Sequence, residues 1–229
     1  MSGVRENLTE IRRRLAQAAA RAGRRAEEVA LVAVSKRVDE KRLREAEAAG
    51  QTVFGENYLQ EAEGKIEALA GAGLCWHFIG KLQSNKLGKI AALFSVVETL
   101  DQARLAGALE DKLVKIGKIM TVYIQVNVGR EPQKAGVRPE DLDALARTVT
   151  SCPHLRLAGL MIMPPQHPDP EASRPYFRQT KTLADSLFGR GLAPQPLGLS
   201  MGMSNDYQVA VEEGATLVRV GSALFGPRG

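Results

Sequence analysis

Short apolar runs alternate with longer amphipathic stretches along this chain, and the alternation repeats eight times. Runs rich in valine, leucine and isoleucine predict strands at 31–36, 52–54, 74–79, 94–97, 119–126, 155–163, 197–199 and 216–220. Between them, helical spacing and capping residues predict helices at 39–50, 58–69, 85–93, 101–116, from Pro139 onward, at 175–188 and at 206–213, with a short turn at 223–225. Strands that alternate with helices build a parallel sheet, because a parallel pair needs a long crossover connection. Eight such units within 229 residues match the size of a (β/α)8 TIM-type barrel. An open doubly wound sheet is the alternative, but no G-x-G-x-x-G follows the first strand. One more helix is expected ahead of the barrel at 4–22, where Leu8, Ile11 and Leu15 share a face. No linker or shift in composition splits the chain, so a single domain over 1–229 is expected.

The first strand, L-V-A-V-S-K, runs directly into Lys36. A continuous apolar run of this kind suits a strand covered on both faces. Lysine at its carboxyl end stands where parallel α/β folds place their ligands. Two readings are open for it: an ammonium that turns to solvent beyond the strand, or a desolvated amine able to form a Schiff base with an aldehyde.

If the barrel closes, the functional face collects the residues at or just past the other strand ends. These are Asn57, His77 with Gly80, Glu98, Asn127, Met163, the stretch from Ser200 to Ser204, and Arg219 with Gly221. Strand seven leads into S-M-G-M-S-N-D and strand eight into V-R-V-G-S-A-L-F-G. Small residues before a helix let backbone N–H groups approach an anion, and these two loops are the usual phosphate site of such barrels. The same residues also suit tight turns with Ser204 or Asn205 as a helix cap. Closure makes strand eight a neighbour of strand one, so lysine and phosphate cradle adjoin. Pyridoxal phosphate carries an aldehyde and a phosphate at that separation. Arg219 would then face its pyridine nitrogen and disfavour ring protonation, which weakens the ring as an electron sink.

Composition narrows the classes further. A hydrophobic content of 44% with 25% charged residues allows an ordinary core. The net charge of +5 sits largely in Arg12, Arg13, Arg14, Arg21, Arg24 and Arg25. Aromatics are only 5%, against the interleaved basic and aromatic pattern of nucleic-acid binders, so a solvated helix face or a taste for small anions is expected. Cys75 and Cys152 form no C-x-x-C, and His77, His154 and His167 show no metal-ligand spacing. The N-terminus lacks a signal-peptide core, and no apolar run is long enough to span a bilayer. A reduced, cytoplasmic monomer without metal, nucleic acid or membrane is the expectation.

A set of ordered motifs carries a family likeness: A-V-S-K at 33–36, F-G-E-N-Y-L-Q-E at 54–61, W-H-F-I-G-K-L-Q-S-N-K at 76–86, V-N-V-G-R-E-P-Q-K-A-G at 126–136, G-L-M-I-M-P-P at 159–165, S-M-G-M-S-N-D at 200–206 and V-R-V-G-S-A-L-F-G at 218–226. In these the chain resembles the pyridoxal phosphate homeostasis proteins (YggS/PROSC type), which share a barrel with the N-terminal domain of alanine racemases. The resemblance implies that Lys36 forms the internal aldimine and that Asn57 lies beside the cofactor ring, with Met163 and Met201 packed nearby. It implies a phosphate held by Ser200, Ser204, Gly221 and Ser222, and Arg219 at the pyridine nitrogen. His77 is either a contact on the ring face or a hydrogen-bonded core histidine. Glu131 and Lys134 either gate the site or form an exposed pair, the latter being favoured.

The family is regarded as binding and buffering the cofactor, with PLP-dependent apoenzymes as the expected partners, rather than turning over a substrate. The chain's end at Gly229, just past the eighth unit, supports that expectation, because related racemases draw a second acid/base from a further domain. Two enzymatic alternatives remain. One is an amino-acid racemase using Tyr58 or His77 as second base; the other is a sugar-phosphate aldolase or isomerase acting through Lys36.

Overall fold

The computed structural model describes residues 3–226. Eight parallel strands close into a barrel in sequence order: β1 Ala30–Val34, β2 Val53–Glu56, β3 Cys75–Phe78, β4 Val96–Leu100, β5 Met120–Gln125, β6 Leu155–Met161, β7 Gly198–Ser200 and β8 Leu217–Val220. The helices are α1 Val4–Arg21, α2 Glu40–Ala48, α3 Leu59–Ala68, α4 Leu87–Leu93, α5 Ala103–Ile116, α6 Leu142–Thr150, α7 Arg174–Gly189, α8 Tyr207–Glu212 and the single turn α9 Ser222–Phe225. This is the expected (β/α)8 architecture, with α1 as the extra N-terminal helix. No helix among the described residues is long and apolar enough to cross a membrane.

The main apolar core lies between the sheet and the helices. Alternation along each strand sends Phe54, Trp76 and Phe78 outward into that layer. There Phe54 meets Trp76 with ring centroids 5.3 Å apart, and Phe78 meets Phe94 edge-on at 5.2 Å. Helix α1 buries Leu8, Ile11 and Leu15 against α8 and α9, and the Asn7 side chain donates to the carbonyl of Leu224 at 2.9 Å. The extra helix thus seals the helical layer where the last unit is a single turn.

Several boundaries moved. Strand β1 ends at Val34, two residues before Lys36, although the Ser35 N–H still reaches the carbonyl of Gly55 at 3.0 Å. Strand β4 runs on to Leu100, so Glu98 lies inside the barrel and not past a strand end. The polar letters E-T hid that continuation, because Glu98 and Thr99 are buried and satisfied by partners distant in sequence. Asp39 caps α2 as expected, its carboxylate accepting the N–H of Arg42 at 2.9 Å. Pro139 opens a 3-10 turn, Pro139–Asp141, ahead of α6, and a second such turn, Ser84–Lys86, precedes α4.

One glycine joins the fold to the site. A Cβ on Gly80, just past β3, would lie 2.0 Å from the carbonyl oxygen of Asn57, just past β2. The two strand ends touch backbone to backbone, and only glycine fits. Gly80→Ala is expected to push Asn57 out of place and to destabilise the fold by about 2 kcal/mol or more. Urea denaturation would read this as a lower midpoint at unchanged slope.

Candidate functional site

A cavity of about 530 Å³ opens at the carboxyl ends of the strands, bordered by residues of the loops after β1, β2, β6, β7 and β8. Seven residues singled out from sequence line it: Lys36, Asn57, Met163, Ser204, Arg219, Gly221 and Ser222. The closing pair of strands accounts for much of this. Strand β1 pairs with β8 in the register Val32 to Arg219 and Ala33 to Val220. Lys36 therefore leaves one strand beside the point where Gly221 leaves the other. Val34 lies on the same side of the strand as Lys36, one pleat lower, and forms part of the cavity wall.

On the β7–β8 side, two backbone N–H groups, of Gly221 and Ala223, converge on the Ser204 hydroxyl, each at 3.3 Å. A hydroxyl oxygen accepting two amides marks a place where an anionic oxygen would also be welcome. Gly202 shapes the approach: its φ is +91°, and a Cβ there would lie 2.6 Å from that of Ala210. Asp206 stiffens the same loop by accepting the Met203 N–H at 2.7 Å and the Ser173 hydroxyl at 2.8 Å.

Arg219 reaches the cavity floor although it is only 4% exposed. Its guanidinium donates to the Ser200 hydroxyl and, at 2.8 Å, to the carbonyl of Ile162. The Ser200 hydroxyl donates in turn to Glu98 at 2.6 Å, and the other oxygen of Glu98 meets His77 Nδ1 at 2.6 Å. A buried chain thus runs from His77 through Glu98 and Ser200 to Arg219. Burial lowers the Arg219 pKa from its ordinary value, with Glu98 and Asp206 opposing; a guanidinium retains its charge under such a shift. Burial alone would raise Glu98, but His77 and Arg219 outweigh it and hold the carboxyl low. Burial would also lower His77, yet its contacts with Cys75 and Glu98 push it up to about 9.

Three of the expected contacts lie outside the cavity wall. His77 and Ser200 sit below the floor inside the barrel, both buried, and serve as links in the chain that holds Arg219. For His77 this favours the core-histidine alternative. Met201 is fully buried among apolar neighbours. Strand alternation explains it: Met201 follows Ser200 and points to the opposite face. Asn127 turns inward on its own loop, accepting the N–H of Glu131 at 3.2 Å and donating to that residue's carbonyl at 2.8 Å. The Glu131–Lys134 pair is half-buried and not an exposed couple. Lys134 also donates to the carbonyls of Met163 and Pro164, at 3.4 and 2.9 Å, and so lashes the loop after β5 to the cavity rim.

Met203, within the expected stretch from Ser200 to Ser204, also lines the cavity; sequence reasoning missed other parts of the wall: Ile79, Met161 and the loop 164–168, with His167 in it. Period-two alternation back from Met163 would have found Met161. Nothing local marks His167, which reaches the wall because Asn205 donates to its carbonyl at 3.1 Å.

The raised His77 pKa makes a signed prediction. A group lifted above its unfolded value, about 6.5, stabilises the fold fully below that value and loses the contribution as pH rises through the folded one. Stability is therefore expected to fall, on the order of 2 kcal/mol, between pH ~7 and ~10. His77→Gln should flatten that stretch of the profile in urea titrations and, since His77 also holds Glu98 and Cys75 low, raise the pKa of both.

Comparison with known proteins agrees with the geometry. Residues 7–229 match the family described as alanine racemase, N-terminal domain. The pyridoxal phosphate homeostasis protein of Pseudomonas aeruginosa is 45% identical over 228 residues, covering 100% of this chain and 97% of the relative. Its counterpart in Aquifex aeolicus is 41% identical over 223 residues, with 97% of each covered. Among solved structures, PipY of Synechococcus elongatus PCC7942 with PLP bound superposes with a TM-score of 0.85 at 35% identity, over 97% of this chain and 100% of PipY. Alanine racemase from Corynebacterium glutamicum shares the fold at a TM-score of 0.70 and 19% identity, this chain spanning 60% of its length. With its closed barrel, its strand-end lysine and relatives matched end to end at 40% identity and above, the chain belongs to the pyridoxal phosphate homeostasis proteins of the alanine racemase N-terminal domain family.

Proposed function

We propose that this chain binds pyridoxal 5'-phosphate, holds it as a Schiff base on Lys36, and buffers or delivers it to PLP-dependent apoenzymes without strong turnover of its own. The observation that carries this reading is the convergence, in one cavity, of the Lys36 amine with the two backbone N–H groups focused on Ser204. That donor set matches an aldehyde and a phosphate on one small ring. A further sign of fit is the buried Asn57 Oδ1, an acceptor without a hydrogen-bond partner, on the cavity wall. A buried acceptor of this kind is costly unless a ligand donor meets it.

Each side chain then has a task. Lys36 supplies the amine, and Ser204 with the Gly221, Ser222 and Ala223 backbone receives the phosphate. Asn57 and Met163 would border the ring, and Arg219 would address the pyridine nitrogen. A cofactor bound here would supply an electrophilic imine. Arg219, anchored through Ser200 to Glu98, keeps a fixed positive charge against the ring and opposes its protonation. Carbanion chemistry is thereby weakened.

The racemase alternative loses one of its candidate bases to the fold. His77 is buried below the floor and committed to Glu98. Tyr58 is half exposed at the start of α3 and is not part of the cavity wall. D-isomer accumulation from L-amino acids, dependent on Lys36, would restore that alternative.

Visible absorption before and after borohydride tests the central claim. The wild type loaded with pyridoxal phosphate is expected to show the Schiff-base band and to become irreversibly labelled on reduction. Lys36→Ala should lose both. Arg219→Gln should shift the band toward a protonated-ring spectrum; Gln is the cleaner probe, since Glu would confront Glu98, now 3.8 Å from the guanidinium. An unshifted band would separate Arg219 from the ring nitrogen.

A further inference from the structure

Behind the barrel wall, on the side away from the cavity, lies a buried ionic cluster with no role in the contacts above. Ser35 and Glu56 alternate with the inward-facing Val34, Lys36, Gly55 and Asn57, so they point outward toward α3. Lys65 of α3 comes down between them. Its ammonium, on a residue only 9% exposed, donates to the Ser35 carbonyl at 2.6 Å, to Glu56 at 2.8 Å and to Glu61 at 2.5 Å. Three donors meet three acceptors, which is the full capacity of an ammonium. The same oxygen of Glu61 accepts the backbone N–H of Arg37, and the oxygen of Glu56 that faces Lys65 also accepts the Ser35 hydroxyl at 2.7 Å.

The two backbone groups that this cluster grips flank Lys36 on either side: the carbonyl before it and the N–H after it. The Ser35 carbonyl also accepts the Val38 N–H at 3.0 Å, closing a turn whose third residue, Arg37, takes φ +59°, so the cluster grips both ends of a tight turn that carries Lys36. Because β1 ends at Val34, neither of these two groups is fixed by a strand ladder at that point. Burial raises the Glu56 pKa against the pull of Lys65 and Ser35, and the other Glu56 oxygen has no hydrogen-bond partner. Such a group is expensive to keep unless it serves the fold or the site.

We infer that Lys65, Glu61 and Glu56 are positioning residues that hold the Lys36 peptide so that its amine meets the aldehyde of the ligand. They act through the backbone on either side of Lys36, the Ser35 carbonyl and the Arg37 N–H. The inference rests on the Schiff-base reading above. It separates covalent from non-covalent recognition, because the phosphate is assigned to the loops after β7 and β8 and the ring to Arg219, Met163 and Asn57, of which only Asn57 adjoins the cluster; Glu61→Gln leaves Glu56 and Asn57 untouched.

The test compares two ligands: pyridoxal 5'-phosphate, and pyridoxine 5'-phosphate, which has an alcohol in place of the aldehyde. Wild type is expected to prefer the aldehyde. Glu61→Gln removes a charge from a half-exposed member and leaves the buried Glu56–Lys65 pair intact. It should weaken aldehyde binding roughly three- to tenfold, the scale of a lost charge-assisted hydrogen bond discounted for exposure, and leave the alcohol unchanged. Lys65→Met combined with Glu56→Gln should weaken it tenfold or more while avoiding a stranded buried charge. Slower borohydride trapping should accompany both losses. Equal weakening of both ligands, or an undiminished preference, would overturn the positioning role. If the double variant fails to fold, Glu61→Gln alone decides. A wild type with no preference and no trapping would sink the Schiff-base reading itself, and this inference with it.

Discussion

Closure of the sheet by the β1–β8 pairing is the constraint on which everything at the carboxyl face depends. Four register pairs, Ala30 to Leu217 through Ala33 to Val220, bring the two ends of the sequence side by side. Lys36 and the Gly221–Ser222 turn are nearly the length of the chain apart, yet each leaves its strand at the same rim. An open sheet with the same strands would place them on opposite edges. Helix α1 supports the closure from outside by packing over α8 and α9, which are too short to cover the seam alone.

A charge near the barrel axis sets the next requirement. Arg219 cannot shed its proton to escape desolvation, so the interior must answer it with a carboxylate and further acceptors. Glu98 supplies the countercharge, Ser200 bridges the 3.8 Å gap between them, and the Ile162 carbonyl takes another guanidinium proton. Glu98 then has an oxygen left, which His77 occupies. The chain of four polar residues is therefore a consequence of a single arginine at the floor. Its partners come from β3, β4 and β7, three strands that the closed barrel brings to face one another across its axis.

This is why the sequence showed the rim better than the layer beneath it. Lys36, Asn57, Ser204 and Gly221 stand at breaks between an apolar run and a polar turn, and such breaks are visible in a linear reading. Glu98 and Ser200 looked like residues just past a strand end too, but Glu98 lies inside β4 and Ser200 is the last residue of β7, and they pair with each other across the barrel axis, which no local pattern identifies. Period-two alternation separates Ser200 from Met201 once the strand boundary is known, and a boundary wrong by a residue reverses the assignment. The loop after β6 illustrates the opposite limit. Its prolines mark it as irregular, but its position over the cavity depends on Lys134 and Asn205, which belong to other units.

The three supports of the site differ in exposure, and hence in strength. Arg219 is held from inside the barrel and the Lys36 peptide from behind it, both by buried groups for which losing a partner is costly. The rim loop is held by Lys134 and Glu131, half exposed, and by Asn205 at the surface. Ion pairs in contact with solvent contribute little and weaken with salt. Loosening under mild perturbation thus belongs to the rim, while the lysine and the arginine keep their places. The proposed uptake and release of a cofactor would use that division: a fixed point of attachment, and an edge held only by weak contacts.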